Sequence, residues 1–298
     1  MRASGYESWF ISARDPVAPR ALWIRHTRLR PAAGPESAAL WCTVVDHDLS
    51  ERPVVIKEVF GAVPAGASAA PGRFSGAAAM EGQTARWDLT ISRQSAPLRP
   101  LRPAVLYRAP LPRTKLEATV PDGQVTGTLV VDGRQIEVNQ WRGTVGRNWG
   151  TEHADGWVWL HAAAPHGWLE LVLARIKVGP VRSPWTAMGA LSLGDELRPL
   201  GGLGRRPRVS ASPEHLTASV SAPGGPVEMT VTVTEGDAAT VTYADPGGGT
   251  RLVTHAALAT VELKIPRHGQ LELTMPGAYE YGTSRHLPGL LPRPLPNG

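Results

Sequence analysis

Glycine and proline recur at short intervals along this sequence, and no segment between them keeps the period of an amphipathic helix. The 298 residues include 32 glycines and 28 prolines. The intervening segments are short, rich in β-branched and aromatic residues and bounded by turn formers, which is typical of strands. The predicted strands are residues 21–29, 40–45, 54–60, 127–131, 168–173, 228–234, 239–243 and 258–265. The sequence therefore predicts an all-β protein.

One turn is predicted at residue level. Asp132-Gly133 separates two apolar segments, and both residue types tolerate the positive φ that a two-residue hairpin turn requires. We therefore expect a β-hairpin here. By contrast, residues 64–79 are rich in Ala, Gly, Pro and Ser, and we expect a long mobile loop there.

The length favours two domains, because one domain usually holds about 100–200 residues. Many short, regularly spaced strands are typical of antiparallel barrels or sandwiches. We expect an N-terminal barrel over residues 1–154 and a C-terminal barrel over 155–286. The four prolines of residues 287–298 predict an irregular tail that joins no sheet interior.

Charge and composition bear on location and partners. No segment approaches the roughly 20 apolar residues of a membrane helix, and residues 1–7 lack an apolar signal region. Cys42 is the single cysteine, so no internal disulfide forms. We expect a cytoplasmic protein without a membrane span, with peripheral membrane contact left open. The net charge of +5 comes mostly from scattered arginines without a nucleic-acid-binding motif, so we expect no nucleic-acid partner.

The common catalytic signatures are missing from the sequence. It contains no Gly-x-Ser-x-Gly, no phosphate-binding loop, no dinucleotide fingerprint after a strand, no His-Glu-x-x-His and no cysteine pair. These absences argue against cofactor-dependent chemistry and against nucleophilic acyl transfer. We therefore predict no cofactor and no metal.

Tryptophan is the unusual feature, because six of the ten fall between Trp141 and Trp185. On a strand, Trp157, Trp159 and His161 share one face, since side chains alternate. A single strand tryptophan usually packs in a core. Here polar residues are interleaved, and buried polar groups cost about 1–3 kcal/mol each when unpaired. The segment therefore indicates either a core or the wall of a cavity.

Three motifs in order resemble a known family. Glu7-Ser-Trp-Phe10, then Gly143-x-x-Gly-Arg-Asn-Trp-Gly150, then Trp157-x-Trp159 resemble the lipocalin-like superfamily of carotenoid hydratases (hydroxyneurosporene synthases). That superfamily is similar to AttH-like proteins, tocopherol cyclases and polyketide Diels–Alderases. The resemblance implies two consecutive lipocalin-like antiparallel β-barrels and a large apolar cavity for an isoprenoid or polyketide, without a cofactor. We expect this cavity near the junction of the barrels.

The chain departs from the family at one important point. The hydratases carry Asp-His-x-Trp-Gly, whose aspartate is regarded as the proton donor. Aligned on Trp149-Gly150, this chain has Gly146 and Arg147 instead. The nearby Glu152 and His153 are candidate replacements for the missing acid.

These observations define a set of candidate site residues. Burial would raise the pKa of Glu152 and make it a general acid, whereas an ion pair with Arg142 or Arg147 is its structural alternative. Arg142 or Asn148 could donate a hydrogen bond to a substrate carbonyl, and indoles could shield a developing positive charge. The catalytic candidates are Glu152, His153, Arg142 and Asn148. The substrate-binding candidates are Glu7, Trp9, Trp141, Trp149, Trp157, Trp159, His161, Tyr279 and Tyr281.

The sequence favours a cofactor-independent cyclase or isomerase that folds an unsaturated, apolar terpenoid or polyketide into a reactive conformer. A non-catalytic carrier of hydrophobic molecules and a carotenoid or terpenoid hydratase remain alternatives. A metal site of His153, His161, His166 and Glu152 is a further alternative, which requires the loop to fold back. Substrate identity and oligomeric state stay open.

Overall fold

The computed structural model of the chain describes residues 4–70, 72–266 and 270–296, and antiparallel strands make up most of it. The prediction of an all-β fold is confirmed. The strands of the first sheet are β1 Gly5–Arg14, β2 Ala21–Arg30, β3 Ser37–Val45, β4 Val54–Phe60, β5 Ser68–Ala70, β6 Arg73–Met80, β7 Gln83–Arg93, β8 Thr114–Val131 and β9 Arg134–Gly150. A short 3₁₀ helix, Ala104–Tyr107, is the only helix in the described part of the chain.

The remaining strands follow Gly156. They are β10 Gly156–Ala164, β11 Gly167–Arg175, β12 Lys177–Val178, β13 Val181–Arg182, β14 Thr186–Leu193, β15 Glu196–Gly201, β16 Arg208–Ala211, β17 His215–Val220, β18 Val227–Thr232, β19 Ala238–Ala244, β20 Thr250–Pro266 and β21 Gln270–Thr283. All form one ten-stranded sheet, except β12 and β13, which pair as a separate hairpin. Among the described residues, no helix is long and apolar enough to cross a bilayer.

The first sheet has the strand order β4-β3-β2-β1-β9-β8-β7-β6-β5 and curls around its own apolar core. The predicted hairpin is confirmed, because Asp132 and Gly133 have φ of 49° and 81° and join β8 to β9. Across the gap between β4 and β6, the backbone N–H of Ala79 donates to Glu58 Oε2 at 2.7 Å. This contact narrows the opening of the curled sheet.

The second sheet has the order β15-β14-β11-β10-β21-β20-β18-β17-β16, with β19 paired to β20. It also curls around a core of its own. The N–H of Gly201 at the end of β15 donates to Ser221 O at 2.8 Å, just beyond β17. Two curled antiparallel sheets of this kind match the expectation of two lipocalin-like barrels.

The prediction of a loop at residues 64–79 is wrong, because β5 and all of β6 except its last residue lie there; residue 71 is outside the described part. The small side chains there serve packing rather than mobility. The Trp87 indole of β7 lies over Gly76, where an added Cβ would come within 2.8 Å of its Cζ2 atom. Small residues thus let a large side chain cover β6.

Residues 287–296 form neither strand nor helix, and the rest of the expected tail, residues 297 and 298, lies outside the described residues. The segment nevertheless bonds to both sheets. The N–H of Arg293 donates to Thr240 O at 2.8 Å, and its Nη2 donates to Gln83 Oε1 at 3.0 Å. Leu295 packs against apolar side chains of the first core.

The two sheets meet through their outer faces. On β1, Ile11 points into the first core, whereas Phe10 packs against Trp159 of the second sheet. On β10, Val158 and Leu160 point into the second core. Strand alternation therefore places Trp157, Trp159 and His161 on the face turned towards the first sheet. This contact between the sheets contains the candidate site.

Candidate functional site

A cavity of about 710 Å³ lies between the two sheets, and residues of both line it. Strands β1 and β2 contribute one wall, and β10, β11 and β14 contribute the other. Two lining residues are exposed: Leu111, which follows the 3₁₀ helix, at 45%, and Leu203 at 56%. The cavity thus combines an apolar, partly open region with a buried interior.

Three aromatic rings form a wall of the interior. The Trp159 ring lies 5.1 Å from that of Phe10 in an edge-on arrangement, and 4.9 Å from that of Trp23. Each of the three side chains is at least nine-tenths buried, and all three line the cavity. Indole faces attract positive charge, so this wall suits an apolar or transiently cationic ligand.

A carboxyl group is buried beside this wall. Glu170 on β11 is 2% exposed, and its Oε1 accepts a hydrogen bond from Trp159 Nε1 at 2.6 Å. Its Oε2 has no hydrogen-bond partner among the described residues. Burial raises the pKa of Glu170 from 4.5 to about 8, although the Trp159 bond and the nearby Arg14 charge both lower it. At neutral pH the group is therefore largely a neutral acid.

The acidic proton can be assigned by elimination. Oε1 accepts from an indole N–H, which is a donor only. The proton of the neutral carboxyl group therefore lies on Oε2, the oxygen without a partner. Glu170 is among the residues that line the cavity, and its Oε2 is a buried atom at that wall.

His161 is held in one neutral tautomer near this acid. Arg14 Nη2 donates to His161 Nδ1 at 2.6 Å, and the other ring nitrogen, Nε2, lies 2.9 Å from Pro121 O. Because a carbonyl only accepts, Nε2 carries the proton. Burial and the Arg14 charge lower the pKa of His161 well below its usual value. Both ring nitrogens are thus engaged, so His161 positions Arg14.

A second polar group lies elsewhere in the cavity. The Glu280 carboxylate accepts from Trp157 Nε1 at 2.7 Å and from the Tyr243 hydroxyl at 2.8 Å. The Arg25 guanidinium stacks on the Tyr243 ring at 4.1 Å. All four side chains line the cavity. The predicted Trp157 therefore orients a carboxylate that the sequence analysis had not singled out.

Glu152 lies at the junction of the two sheets and forms ion pairs there. It is paired with Arg113, which precedes β8, and its Oε1 lies 3.7 Å from Arg251 Nη2 on β20. Its side chain is 37% exposed. The expected partners were Arg142 and Arg147. Glu152 instead pairs with two other arginines, so it forms ion pairs, as its structural alternative predicted, but with different partners.

His153 also lines the cavity, next to Glu152. Its ring stacks on that of Tyr6 at 4.0 Å. Burial, with the charges of Arg25 and Arg251, lowers its pKa to about 3. The ring is therefore neutral at physiological pH, which suits contact with an apolar ligand better than proton donation.

The other predicted polar residues are spread around the junction. Arg142 forms a bidentate pair with Asp122 at 2.7–2.9 Å, whereas Asn148 lines the cavity. Glu7 is paired with Arg147, and the guanidinium of Arg147 stacks on the rings of Trp9 and Trp149. Of these residues, Asn148 and Arg147 reach the cavity wall.

Trp141, Tyr279 and Tyr281 lie elsewhere. Trp141 is in the core of the first sheet, and the two tyrosines are in the core of the second. The Tyr279 hydroxyl donates to Ser212 O at 2.6 Å. These side chains are on the inner faces of their sheets, so they do not contribute to the cavity as described. The described residues also contain no group of three or more potential metal ligands, so His153, His161, His166 and Glu152 are not assembled into a metal site.

Phe10 occupies the space that a side chain at position 146 would need. Gly146 pairs with Phe10 across β1 and β9, and an added Cβ at Gly146 would lie 2.2 Å from Phe10 Cζ. An aspartate at this position is therefore incompatible with the present Phe10 ring. Gly146, which stands where the hydratase motif has an aspartate, thus leaves room for the Phe10 ring of the aromatic wall.

Among the cavity residues that were not predicted from the sequence are Glu170, Arg25, Trp23, Tyr243 and Glu280. A signal for Glu170 was present, because it is the single charged residue in the predicted strand 168–173 and lies on the same face as Trp168. A carboxylate inside an apolar strand is rarely left without a role. Arg25 and Trp23 likewise share one face of the predicted strand 21–29.

Comparison with known proteins finds relatives by sequence over part of the chain. No family model matches the chain. Two uncharacterized proteins of Mycobacterium tuberculosis, MT0513 of strain CDC 1551 and Rv0493c of strain H37Rv, are each 29% identical to it over 181 residues, which is 58% of this chain and 54% of theirs. The chain thus spans about half the length of the curated relatives it matches.

Two solved structures share its architecture. The AttH-like protein NE1406 of Nitrosomonas europaea has a TM-score of 0.56 at 15% identity, over 93% of this chain and 92% of that chain. Kievitone hydratase of Nectria haematococca has a TM-score of 0.53 at 11% identity, over 93% of this chain and 89% of that chain. The chain has their fold. At these identities the likeness shows the fold, and the relation to carotenoid hydratases, AttH-like proteins, tocopherol cyclases and Diels–Alderases stays a prediction.

Proposed function

We propose that this protein is a cofactor-independent enzyme that protonates an unsaturated, largely apolar small molecule in the cavity between its sheets, and so cyclises or isomerises it. The observation that carries the proposal is Glu170. Its carboxyl group is buried, is protonated near neutral pH and has an Oε2 without a hydrogen-bond partner among the described residues, and Glu170 lines a cavity that also contains aromatic faces.

The chemistry follows from these groups. Oε2–H of Glu170 transfers its proton to one carbon of a substrate double bond, and the neighbouring carbon becomes cationic. The rings of Trp159, Trp23 and Phe10 stabilise that charge, each by up to about 2 kcal/mol when desolvated. Attack by a second double bond closes a ring, and loss of a proton to the Glu170 carboxylate restores the acid. The product has the mass of the substrate.

The carboxylate formed during the reaction is stabilised by neighbouring residues. Trp159 Nε1 already donates to Oε1, and the Arg14 guanidinium, held by His161, supplies a nearby positive charge. These groups lower the cost of proton release, while burial keeps the acid protonated beforehand. The aromatic rings beside Glu170 are buried, and limited access of water at that wall favours internal ring closure.

The test compares wild type with Glu170→Gln and Glu152→Gln. Each is incubated with an apolar cell extract, and accurate-mass chromatography follows precursors and new species. We expect a product of unchanged mass with wild type and with Glu152→Gln, and a loss of about 10²–10⁴-fold with Glu170→Gln. Circular dichroism and the thermal midpoint establish folding. Full turnover by a folded Glu170→Gln variant overturns the role of Glu170.

Hydration is the second candidate, favoured by the shared fold with kievitone hydratase. Protonation by Glu170 would be the same step, but water would then attack the cation and the product would gain the mass of one water. In ¹⁸O-labelled water the hydrate would carry the label. A carrier would instead return its ligand unchanged after denaturation, which the same chromatography detects.

A further inference from the structure

Arg25 is a buried cation with unused hydrogen-bonding capacity in the cavity. It lies on β2 and is 7% exposed. Its Nε and Nη2 donate to Ser8 Oγ at 3.3 and 3.1 Å. Its Nη1 is buried and has no partner among the described residues. A guanidinium carries five N–H donors and stays charged, so an unpaired nitrogen here is costly unless a ligand completes it.

Among the residues that the structure describes, no carboxylate forms an ion pair with Arg25. The nearest aromatic face, that of Tyr243, is stacked on the guanidinium, and the Tyr243 hydroxyl donates to Glu280. Both oxygens of Glu280 already accept hydrogen bonds, from Trp157 and Tyr243. Burial lowers the pKa values of His153 and His255, and the positive charge of Arg25 lowers them further, so both rings are neutral. The site thus offers a positive charge to an incoming anion.

We propose that Arg25 binds an oxyanion of the substrate, a carboxylate or an enolate, and that the substrate is therefore an amphiphile with an acidic oxygen at one end and an apolar, unsaturated body. The inference rests on the proposed function, since it names the substrate class of the same cavity. A guanidinium suits such an oxygen because its donors are fixed in a plane and its charge strengthens each hydrogen bond.

The position of Arg25 fits the rest of the cavity. Trp23 precedes it by two residues on the same face of β2, so their Cα atoms are about 7 Å apart along the strand. The Trp23 ring contacts that of Trp159, which donates to Glu170. An aromatic surface therefore lies between the cation and the acid. A substrate anchored at Arg25 would extend across this surface towards the proton on Glu170.

The test uses two matched probes, cis-parinaric acid and its methyl ester, whose polyene chains fluoresce when transferred from water to an apolar site. We expect wild type at neutral pH to bind the acid at least about tenfold more tightly than the ester. Arg25→Met should remove this preference by weakening binding of the acid while leaving the ester unaffected. Arg28→Met is the control, because Arg28 is exposed on the same strand and stacks on Trp9.

Equal binding of acid and ester by wild type overturns the proposal, and so does a preference that survives in folded Arg25→Met. If Arg25→Met does not fold, Arg25→Gln, which retains a donor towards Ser8, replaces it with the same expected result. The probes need not react, so this binding test is independent of turnover. If Glu170→Gln still binds the acid more tightly than the ester, the result supports the binding of an oxyanion by Arg25, even if Glu170 does not transfer a proton.

Discussion

Trp159 Nε1 donates to Glu170 Oε1 at 2.6 Å, and this bond joins the aromatic wall of the cavity to its buried acid. The two residues are on adjacent strands of the second sheet, β10 and β11, where strand alternation turns both towards the first sheet. The bond orients one oxygen and leaves the proton on the other. A change at Trp159 should therefore also affect the carboxyl group of Glu170.

The raised pKa of Glu170 makes stability depend on pH in a specific direction. The unfolded chain loses this proton near 4.5 and the folded chain near about 8, so in between the folded state holds one more proton. The group's stabilising contribution is fully present below the lower value and is lost as pH rises, by up to about 1.4 kcal/mol per unit, through the folded pKa. We expect Glu170→Gln to lack this loss. Urea unfolding of both proteins at several pH values measures it, and parallel stability curves contradict it.

Removing the indole donor should change the acid without removing it. In Trp159→Phe, Glu170 loses the hydrogen bond that favours its carboxylate, so its pKa should rise above about 8. The lost bond should cost about 1–3 kcal/mol of stability. Carbon-13 NMR of labelled glutamate side chains, assigned with Glu170→Gln, follows the titration. Trp157→Phe is the matched control, because its indole donates to Glu280 instead; an equal shift of Glu170 in that variant contradicts the prediction.

Gly146 should tolerate no side chain while Phe10 is present. A Cβ there would lie 2.2 Å from Phe10 Cζ, so Gly146→Ala should destabilise the fold by about 1–3 kcal/mol. Phe10→Ala removes the clashing ring and also destabilises the fold, because Phe10 is buried. In the double variant the Gly146→Ala penalty should largely disappear, and a double-mutant cycle by urea unfolding measures this coupling. Additive effects would show that the two residues do not compete for space.

The strands, the Asp132-Gly133 hairpin and the shared face of Trp157, Trp159 and His161 could be predicted, because each depends on local sequence. The sequence did not allow us to predict which face of each strand contacts the other sheet. Alternation groups residues by face, but tertiary packing decides whether a face turns inward or towards the partner sheet. For this reason Trp141 was predicted at the site, although it lies in the core of the first sheet.

The acid was missed for a related reason. Glu152 stands beside the family motif in the sequence, whereas Glu170 becomes adjacent to Trp159 only through the pairing of β10 with β11. Proximity in the sequence indicated Glu152, whereas the pairing of β10 with β11 brings Glu170 to the cavity. A search for charged residues inside apolar strands would have included Glu170.

Glu152 should contribute to the junction of the sheets rather than to proton transfer. It is partly exposed between Arg113 and Arg251, so Glu152→Gln should cost less than about 1 kcal/mol and leave turnover unchanged. Arg251→Met is the contrasting variant, since Arg251 Nη2 lies 2.6 Å from Asp245 Oδ2, and Asp245 is 4% exposed. Because this variant leaves the buried Asp245 carboxylate unpaired, it should lower the free energy of unfolding at neutral pH by about 3 kcal/mol, several times more than Glu152→Gln. Urea unfolding compares the two variants, and a loss of turnover in folded Glu152→Gln would return the acid role to Glu152.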